Sequence, residues 1–322
     1  MLKRRDVVAL GLAALSAPAF GQAHYPDRPI RLVVPFPPGG AFDTVARPWA
    51  NMMKSLLGTV VVENIGRAGS SLGAAAVARA MPDGYTLLLG GGGALVINPI
   101  AGRTPYHPVK DFEPVALLVV HAFALAVHPS LPVRTLQELI DYARNNPGRL
   151  SYGSAGAGSL NHLTGELFKA LADAPGIVHI PYRGAGPAIT DLVAGQVPMI
   201  VPAMNGSVLE LHRAGKLRVL AVTSPDRLVG APDLPTAAET VPGMVSLNMV
   251  GLFAPAGTPK EIVDQIYQAT HIGMSDRKLQ EQLIAAGFDL PVDASPGRMR
   301  RSLGEEIARW APVIKAIGLK LE

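Results

Sequence analysis

Residues 33–47 read VVPFPPGGAFDTVAR, and this stretch decides the fold. β-Branched residues lead into Pro35, a loop of prolines and glycines follows, and a helical pattern begins near Asp43. A strand that stops in a Gly/Pro loop and passes into a helix opens a βαβ unit. Free backbone N–H groups at such a helix start, together with the helix dipole, form a natural seat for an anion. The pattern predicts a strand over Ile30 to Val34 and a helix over Asp43 to Leu57.

The same order recurs outward from this stretch. Strands are predicted at Val60 to Glu63, Tyr85 to Leu89, Leu150 to Gly153, Val178 to Ile180, Met199 to Val201, Leu217 to Val222 and Met249 to Ala254. The apolar run Val115 to Val127 is long enough for two. Helices are predicted at Leu72 to Ala80, at Leu136 to Asn145 behind a Thr135 cap, and after SAGAGSLN through Ala172. Others follow in GAGPAITDLVAGQ, from about Ser207 to Ala214, and over Pro259 to Met274. Asp276 to Ala286 and Pro296 to Ile317 complete the set. Alternating strands and helices argue for α/β architecture with mostly parallel sheets, and the elements exceed one sheet of ordinary width. Ligands of such sheets bind beyond the carboxyl ends of the strands. Four of those ends carry Gly-rich loops, at 35–42, 64–73, 153–161 and 181–187. If the first and middle thirds fold separately, the loops face one another across a cleft.

The 322 residues suffice for two domains, and 48% hydrophobic with 17% charged residues is the balance of a chain with sizeable cores. Lys3, Arg4 and Arg5, the short apolar stretch Val7 to Leu15, and Gly21-Gln22-Ala23 form the three regions of an export signal, 1–23, cleaved near Ala23. The net charge is +4, of which the signal carries +2. No basic stripe speaks for nucleic acid, and the absence of cysteine removes disulfides and thiolate chemistry.

Neither G-x-G-x-x-G after a strand nor G-x-x-x-x-G-K-[ST] occurs, which argues against nucleotides. The eight His are scattered without metal-ligand spacing. Gly69-Ser70-Ser71-Leu72-Gly73 does fit the G-x-S-x-G nucleophile elbow, with Asp191 and His212 following in triad order. Too little chain precedes Ser71 for the usual strands of such a hydrolase, so this reading stands as an alternative. His162, one turn into its helix, either packs or meets a ligand. Arg67 and Arg183 lie in cleft loops, either solvated or paired with a carboxylate. Asp43 either caps its own helix or accepts from a ligand.

Taken in order, PFPPGGAFDTVAR, VVENIGRAGSSLGAAAVARAMPDGYTLLLG, INP, DFEPVALL, VHPSLPV, LSYGSAGAGSLNHLTGELF, VHIPYRGAGPAITDL, GQVPM, GKLRVLAVTS, GLFAPAGTP and AIGLKLE resemble the Bug-type periplasmic solute receptors. These are the extracytoplasmic binding proteins of tripartite tricarboxylate transporters, and the likeness runs from about Tyr25 to Glu322. It implies a type II periplasmic-binding-protein fold of two α/β domains, 24–125 plus 250–322 and 126–249, closing on a cleft. It implies a monomeric, non-enzymatic receptor without cofactor or metal, which hands a small organic acid to integral-membrane permease subunits. A sensor subunit for a membrane kinase has the same fold.

Carried onto this chain, the resemblance places a ligand carboxylate between Phe36, Pro37, Gly39, Gly40 and Asp43 on one side and Ser154, Gly156, Gly158 and Ser159 on the other. Tyr182, Arg183 and Gly184 form a second contact. The chain departs from its relatives where ENIGRAGSSLGA replaces a sequence close to ENRPGAGGNIGA, and where GGGALV lacks a polar residue after Gly90. Near Val201-Pro202 it also lacks the acidic or polar residue common in relatives. These departures put Arg67, Gly69, Ser70, Ser71 and Gly92 on the wall that reads the far end of the ligand.

Overall fold

A computed structural model describes residues 25–36, 38–39, 41–66, 70–102 and 104–320. The export segment 1–23 lies outside them, as do Pro37, Gly40, Arg67 and Gly69. The first unit is β1 (Ile30–Val34), α1 (Ala41–Met53), β2 (Val60–Asn64), α2 (Ser71–Ala78) and β3 (Thr86–Gly91). A π-helical turn, Gly93–Ile97, then runs into α3 (Asn98–Ala101). Next come β4 (Phe112–Ala122) and β5 (Ala124–Val127), the two strands within the long apolar run. They are followed by α4 (Leu136–Asn145), β6 (Ser151–Ser154), α5 (Leu160–Leu171), β7 (Val178–Pro181), α6 (Ala185–Val193), β8 (Met199–Ile200), α7 (Gly206–Arg213) and β9 (Arg218–Val222). The chain ends with β10 (Leu247–Pro255), α8 (Lys260–Met274), α9 (Arg277–Ala285) and α10 (Pro296–Ala316). Thr135, Asp276 and Ser295 cap α4, α9 and α10, each accepting a first-turn N–H. α1 starts two residues earlier than the sequence pattern indicates, and its last predicted turn, 54–57, is not helical.

Two five-stranded sheets result, in the orders β2-β1-β3-β10-β4 and β7-β6-β8-β5-β9. In each sheet four strands run one way and one runs back. β10 is antiparallel to β3 and β4, and β5 is antiparallel to β8 and β9. The reversal follows from the path: β4 leaves the first sheet and continues through Phe123 directly into β5 of the second, and β10 makes the return. A strand arriving from the other sheet enters against the direction set by local βαβ crossovers.

Period-two alternation sorts the first sheet's side chains. Ile30, Leu32 and Val34 face Trp49 of α1 and Ile266 of α8, whereas Val33 faces the other way, toward a core that also holds Val77 and Trp310. That second core continues into Leu125 and Tyr152 of the second sheet and Phe168 of α5. α10 joins the two: Trp310 is fully buried and donates to Glu306 Oε2 at 2.8 Å, and Arg309 Nη1 donates to Val245 O at 2.7 Å. Among the described residues no helix is long and apolar enough to cross a membrane.

The β4–β10 contact is tight enough to test. A Cβ built at Gly251 stands 2.6 Å from Ala116 O and 2.8 Å from Met299 Cε. Gly251→Val is expected to lose about 2 kcal/mol or more, because backbone on the neighbouring strand cannot move aside cheaply. Urea unfolding measures this. A midpoint equal to that of the natural chain would show the two crossing strands to be looser than described.

Candidate functional site

Between the two sheets, beyond the carboxyl ends of β1 and β6, lies a pocket with about 810 Å³ of open volume. Its first wall is the loop of Pro35, Phe36, Pro38 and Gly39 with Ala41 and Phe42, the opening residues of α1. The opposite wall is Ala157, Gly158 and Ser159 with Leu160 and Asn161, the opening residues of α5. Gly66, Ser70, Gly93 and Asn98 complete the first side and Ala203 the second, while His121, Phe123 and Asn248 come from the crossing strands. Helix geometry leaves the first N–H groups of each helix without intrahelical partners. Two helix N-termini, one from each sheet, therefore meet at one cavity.

Each helix start is held by its own hydrogen bonds. At the first, Asp43 is the hub. Its Oδ2 accepts from Gly39 N at 3.0 Å and Arg47 Nε at 2.6 Å, and its Oδ1 accepts from Asn64 Nδ2 at 3.0 Å. Asn64 Nδ2 also donates to Phe36 O, which ties the loop to the end of β2. Burial alone would raise the Asp43 carboxyl, but the bonds from Arg47, Gly39 and Asn64 and the charge of Arg47 hold it below the usual carboxylate range. At the second, Ser159 Oγ caps α5 by accepting from His162 N at 3.2 Å and donates to Gly156 O at 2.7 Å. Gly158 N donates to His162 Nδ1 at 3.2 Å, and Ser154 Oγ pairs with His179 Nε2 at 2.7 Å. The two imidazoles stack with centroids 4.0 Å apart, beside the Glu166–Lys169 ion pair and Tyr152. Gly39, Gly156 and Gly158 have φ of 81°, 125° and 79°, conformations that only glycine adopts without strain.

Of the residues singled out from sequence, Phe36, Gly39, Ser70, Gly158 and Ser159 line the pocket. Ser70 is buried in the left-handed region at φ 78°, a strained setting for a residue other than glycine. Asp43, Ser154 and Gly156 stand behind the walls and brace them. Gly92 is buried beside the pocket and donates from its backbone to Asn248 Oδ1. Tyr182 turns its hydroxyl to Asp191 of α6, Arg183 is exposed, and Gly184 precedes α6 at φ 114°; none of these three lines the pocket. Pro37, Gly40, Arg67 and Gly69 lie outside the described residues. Ser71 does not find the partners of a nucleophile elbow. Its Oγ accepts from Asn98 Nδ2 at 3.0 Å, while His212 accepts from Val219 N and Asp191 from Tyr182. His162 is a packed brace of the α5 loop.

Sequence reasoning missed His121, Phe123, Asn98, Ala203 and Asn248. The signal it had was polarity out of place: His121 and Asn248 are buried polar residues within otherwise apolar stretches of β4 and β10. Their chemistry follows from one donor whose identity is fixed. Gly92 N–H donates to Asn248 Oδ1 at 3.2 Å, so the amide Nδ2 points to His121 Nε2, 2.9 Å away. Nε2 must then accept, and the imidazole is neutral with its proton on Nδ1. Burial supports this by pushing the His121 pKa down to about 4.

Comparison with known proteins places this geometry. Residues 45–319 match the family described as tripartite tricarboxylate transporter family receptor. BugT of Bordetella pertussis is 36% identical over 319 residues, covering 98% of this chain and 97% of that protein. The solved periplasmic binding protein BugD superposes with a TM-score of 0.75 at 35% identity, over 92% of this chain and 99% of that one. MatC of Rhodopseudomonas palustris, solved with bound malate, gives 0.75 at 33% identity, over 90% and 100%. The two solved relatives, BugD and MatC, share the fold described above.

Two imidazoles, buried His121 and half-buried His179, make stability depend on pH. His121 stays neutral to about 4 through burial, and His179 likewise through burial and its stacked neighbour His162. An unfolded histidine protonates near about 6.5. As pH falls below that value the unfolded chain takes up protons that the folded chain refuses, so stability is lost between about 6.5 and about 4. For the fully buried His121 the expected slope is about 1.4 kcal/mol per pH unit. Thermal melts at about pH 7 and about pH 5 check this: the melting temperature is expected to fall, with a smaller fall in His179→Gln.

Proposed function

The chain belongs to the tripartite tricarboxylate transporter receptor family, and from that premise we propose that it is a periplasmic receptor that captures a small organic carboxylate and delivers it to the membrane subunits of such a transporter. The observation that carries the reading is the convergence of two helix N-termini, α1 and α5, on a single pocket between two sheets. Each presents backbone N–H groups and the positive end of a helix dipole, and a carboxylate is the group that satisfies both at once. The malate held by MatC is consistent with a carboxylate here.

On this reading the residues 24–125 plus 250–322 form one domain and 126–249 the other. The ligand bridges them and shifts an open–closed equilibrium by contacting both walls in the closed state. The segment 1–23 directs export and is removed near Ala23. The mature protein acts as a monomer and catalyses no reaction, since capture requires neither nucleophile nor acid–base pair. Phe36, Gly39, Gly158 and Ser159 line the carboxylate seat, with Pro37 and Gly40 assigned to it from sequence. Asp43, Ser154 and Gly156 hold its walls.

Gly93 provides a clean test. A Cβ there meets only Phe36 Cζ at 3.6 Å and Ser70 Oγ at 3.8 Å, ordinary contact distances, and both neighbours line the pocket. Gly93→Leu is expected to fill the cavity without lowering the melting temperature. Calorimetric titration with a panel of mono-, di- and tricarboxylates should show saturable binding by the natural chain and none by the variant. Absence of binding by the natural chain across the panel would remove the receptor reading. Undiminished binding by Gly93→Leu would move the site elsewhere.

A further inference from the structure

Phe123 carries the chain from one sheet to the other, and the outer edge of that crossing is shared by two segments that meet end to end. On the first sheet's side Val120 N donates to Asp289 O at 3.0 Å, and Asp289 N to Val120 O at 2.8 Å. On the second sheet's side Met204 N donates to Ala122 O at 2.9 Å, Ala203 bridges to Phe123, and Ala124 N donates to Pro202 O at 2.9 Å. The segment after α9 and the segment before α7 therefore abut beside Ala122. The contact is backbone on backbone. A Cβ built at Gly287 stands 2.4 Å from Asn205 Cα and 3.0 Å from Met204 O, and one at Gly206 stands 3.0 Å from Ala285 O. The first of these is about 1 Å inside ordinary carbon–carbon contact. Gly287 also ends α9 in the left-handed region, at φ 89°, with Gly287 N donating to Ile284 O and Phe288 N to Leu283 O. That motif accounts for a glycine but not for the missing space. Gly215 ends α7 the same way, at φ 68° with the matching bonds to His212 O and Leu211 O, yet a Cβ there meets no described atom within 4 Å.

Resting on the receptor reading above, we propose that the Gly287–Asn205 junction sets the angle between the two sheets, and thereby the affinity of the cleft, without touching what the cleft holds. The junction borders the residues of the pocket from another side. His121 and Phe123, which flank Ala122, line the cleft, as does Ala203 just before Asn205, and Phe288 packs edge-on against His121 with ring centroids 5.8 Å apart. In this arrangement the sheets also meet across the cleft, where Gly92 stands against Leu160 of α5. A side chain at position 287 separates two segments that are each tied to the crossing by backbone hydrogen bonds. The separation therefore passes to the sheets as a rotation instead of being absorbed in a loop. The arrangement in which both helix starts reach one carboxylate becomes less populated, and the apparent affinity falls by the same fraction for every ligand. Gly287 is thus a positioning residue, acting through the domain angle.

The sequence contains no cysteine, so spin labels can be placed by Lys54→Cys and Gln137→Cys, exposed positions on the first and second sheets' sides. The distance between them is read by double electron–electron resonance in the full mature chain, and the unlabelled chains are titrated calorimetrically with benzoate, malate, succinate and citrate. Gly215→Ala is the control, since it introduces left-handed strain without the contact. Gly287→Ala is expected to shift the label distance and to weaken every acid that the natural chain binds by one common factor, about 10-fold or more. Gly206→Ala reaches the junction from the other side, at a backbone position outside the left-handed region, and is expected to move both readouts the same way by a smaller factor, about 3-fold. If Gly287→Ala does not fold, Gly206→Ala decides on the same two readouts. Distances and affinities equal to those of Gly215→Ala overturn this inference and leave the receptor reading standing, as does a loss that differs from one acid to the next. Absence of binding by the natural chain to all four acids overturns the receptor reading and this inference with it.

Discussion

The constraint on which the rest of this structure depends is that the chain crosses between two sheets without breaking its extended conformation. β4 becomes β5 across Phe123, and β10 returns beside β4 over nine residues of antiparallel pairing. The outward crossing is strand to strand, so its backbone groups stay in the ladders; the return passes through the connection 223–246, where Ser246 N donates to Thr223 O, before β10 pairs with β4. This fixes where the sheets end relative to one another. The carboxyl ends of β1 and β6 then open toward the same space, and the helices that follow them start there. Residues of the crossing strands, His121, Phe123 and Asn248, become the floor by the same geometry.

A seat built from helix starts has an advantage over one built from arginines. Backbone N–H groups keep their orientation because the helix keeps it, and they carry no side-chain entropy into the complex. What must be stabilised is the loop that leads into each helix, and the charged and titratable groups near the pocket serve that end. Asp43 uses both carboxylate oxygens on Gly39, Arg47 and Asn64. His162 and His179 use ring nitrogens on Gly158 and Ser154. These charges are thus one layer behind the wall, where they order the backbone, and the described lining residues carry no Lys, Arg, Asp or Glu.

Most of the architecture was legible in the sequence because it rests on local signals. The run into Pro35, the caps Thr135, Asp276 and Ser295, and the alternating apolar strands each name an element without reference to the rest of the chain. The loops SAGAGSLN and PFPPGGAF were legible as partners for the same reason, since Gly-rich strand ends point to one side of an α/β sheet. What was not legible came from distance in sequence. Asn248 meets His121 across 127 residues and Phe123 bridges to Ala203, pairings set by the crossing geometry and by no spacing rule. The π-helical turn at Gly93–Ile97 was missed because glycine-rich sequence reads as loop, whereas here small residues let the backbone pack beneath Ser70 and Phe36. Asp43 was left between two roles that sequence cannot separate, and the partners it finds are all protein groups.

The backbone seat also explains how one fold serves different ligands. On the proposed reading, the two helix starts seat one carboxylate by features of the backbone, which tolerate wide change in side chains. On that reading selectivity is left to the far wall, whose described residues Gly66, Ser70, Gly93, Asn98 and Ala203 are uncharged. Gly92 marks the limit of that freedom. A Cβ at this position would meet Leu160 Cδ1 at 2.9 Å and Asn248 Oδ1 at 3.1 Å, so a larger residue there requires the Leu160 side chain to shift. Gly93, where a Cβ's nearest neighbours stand at 3.6 and 3.8 Å, has room for a side chain that Gly92 lacks.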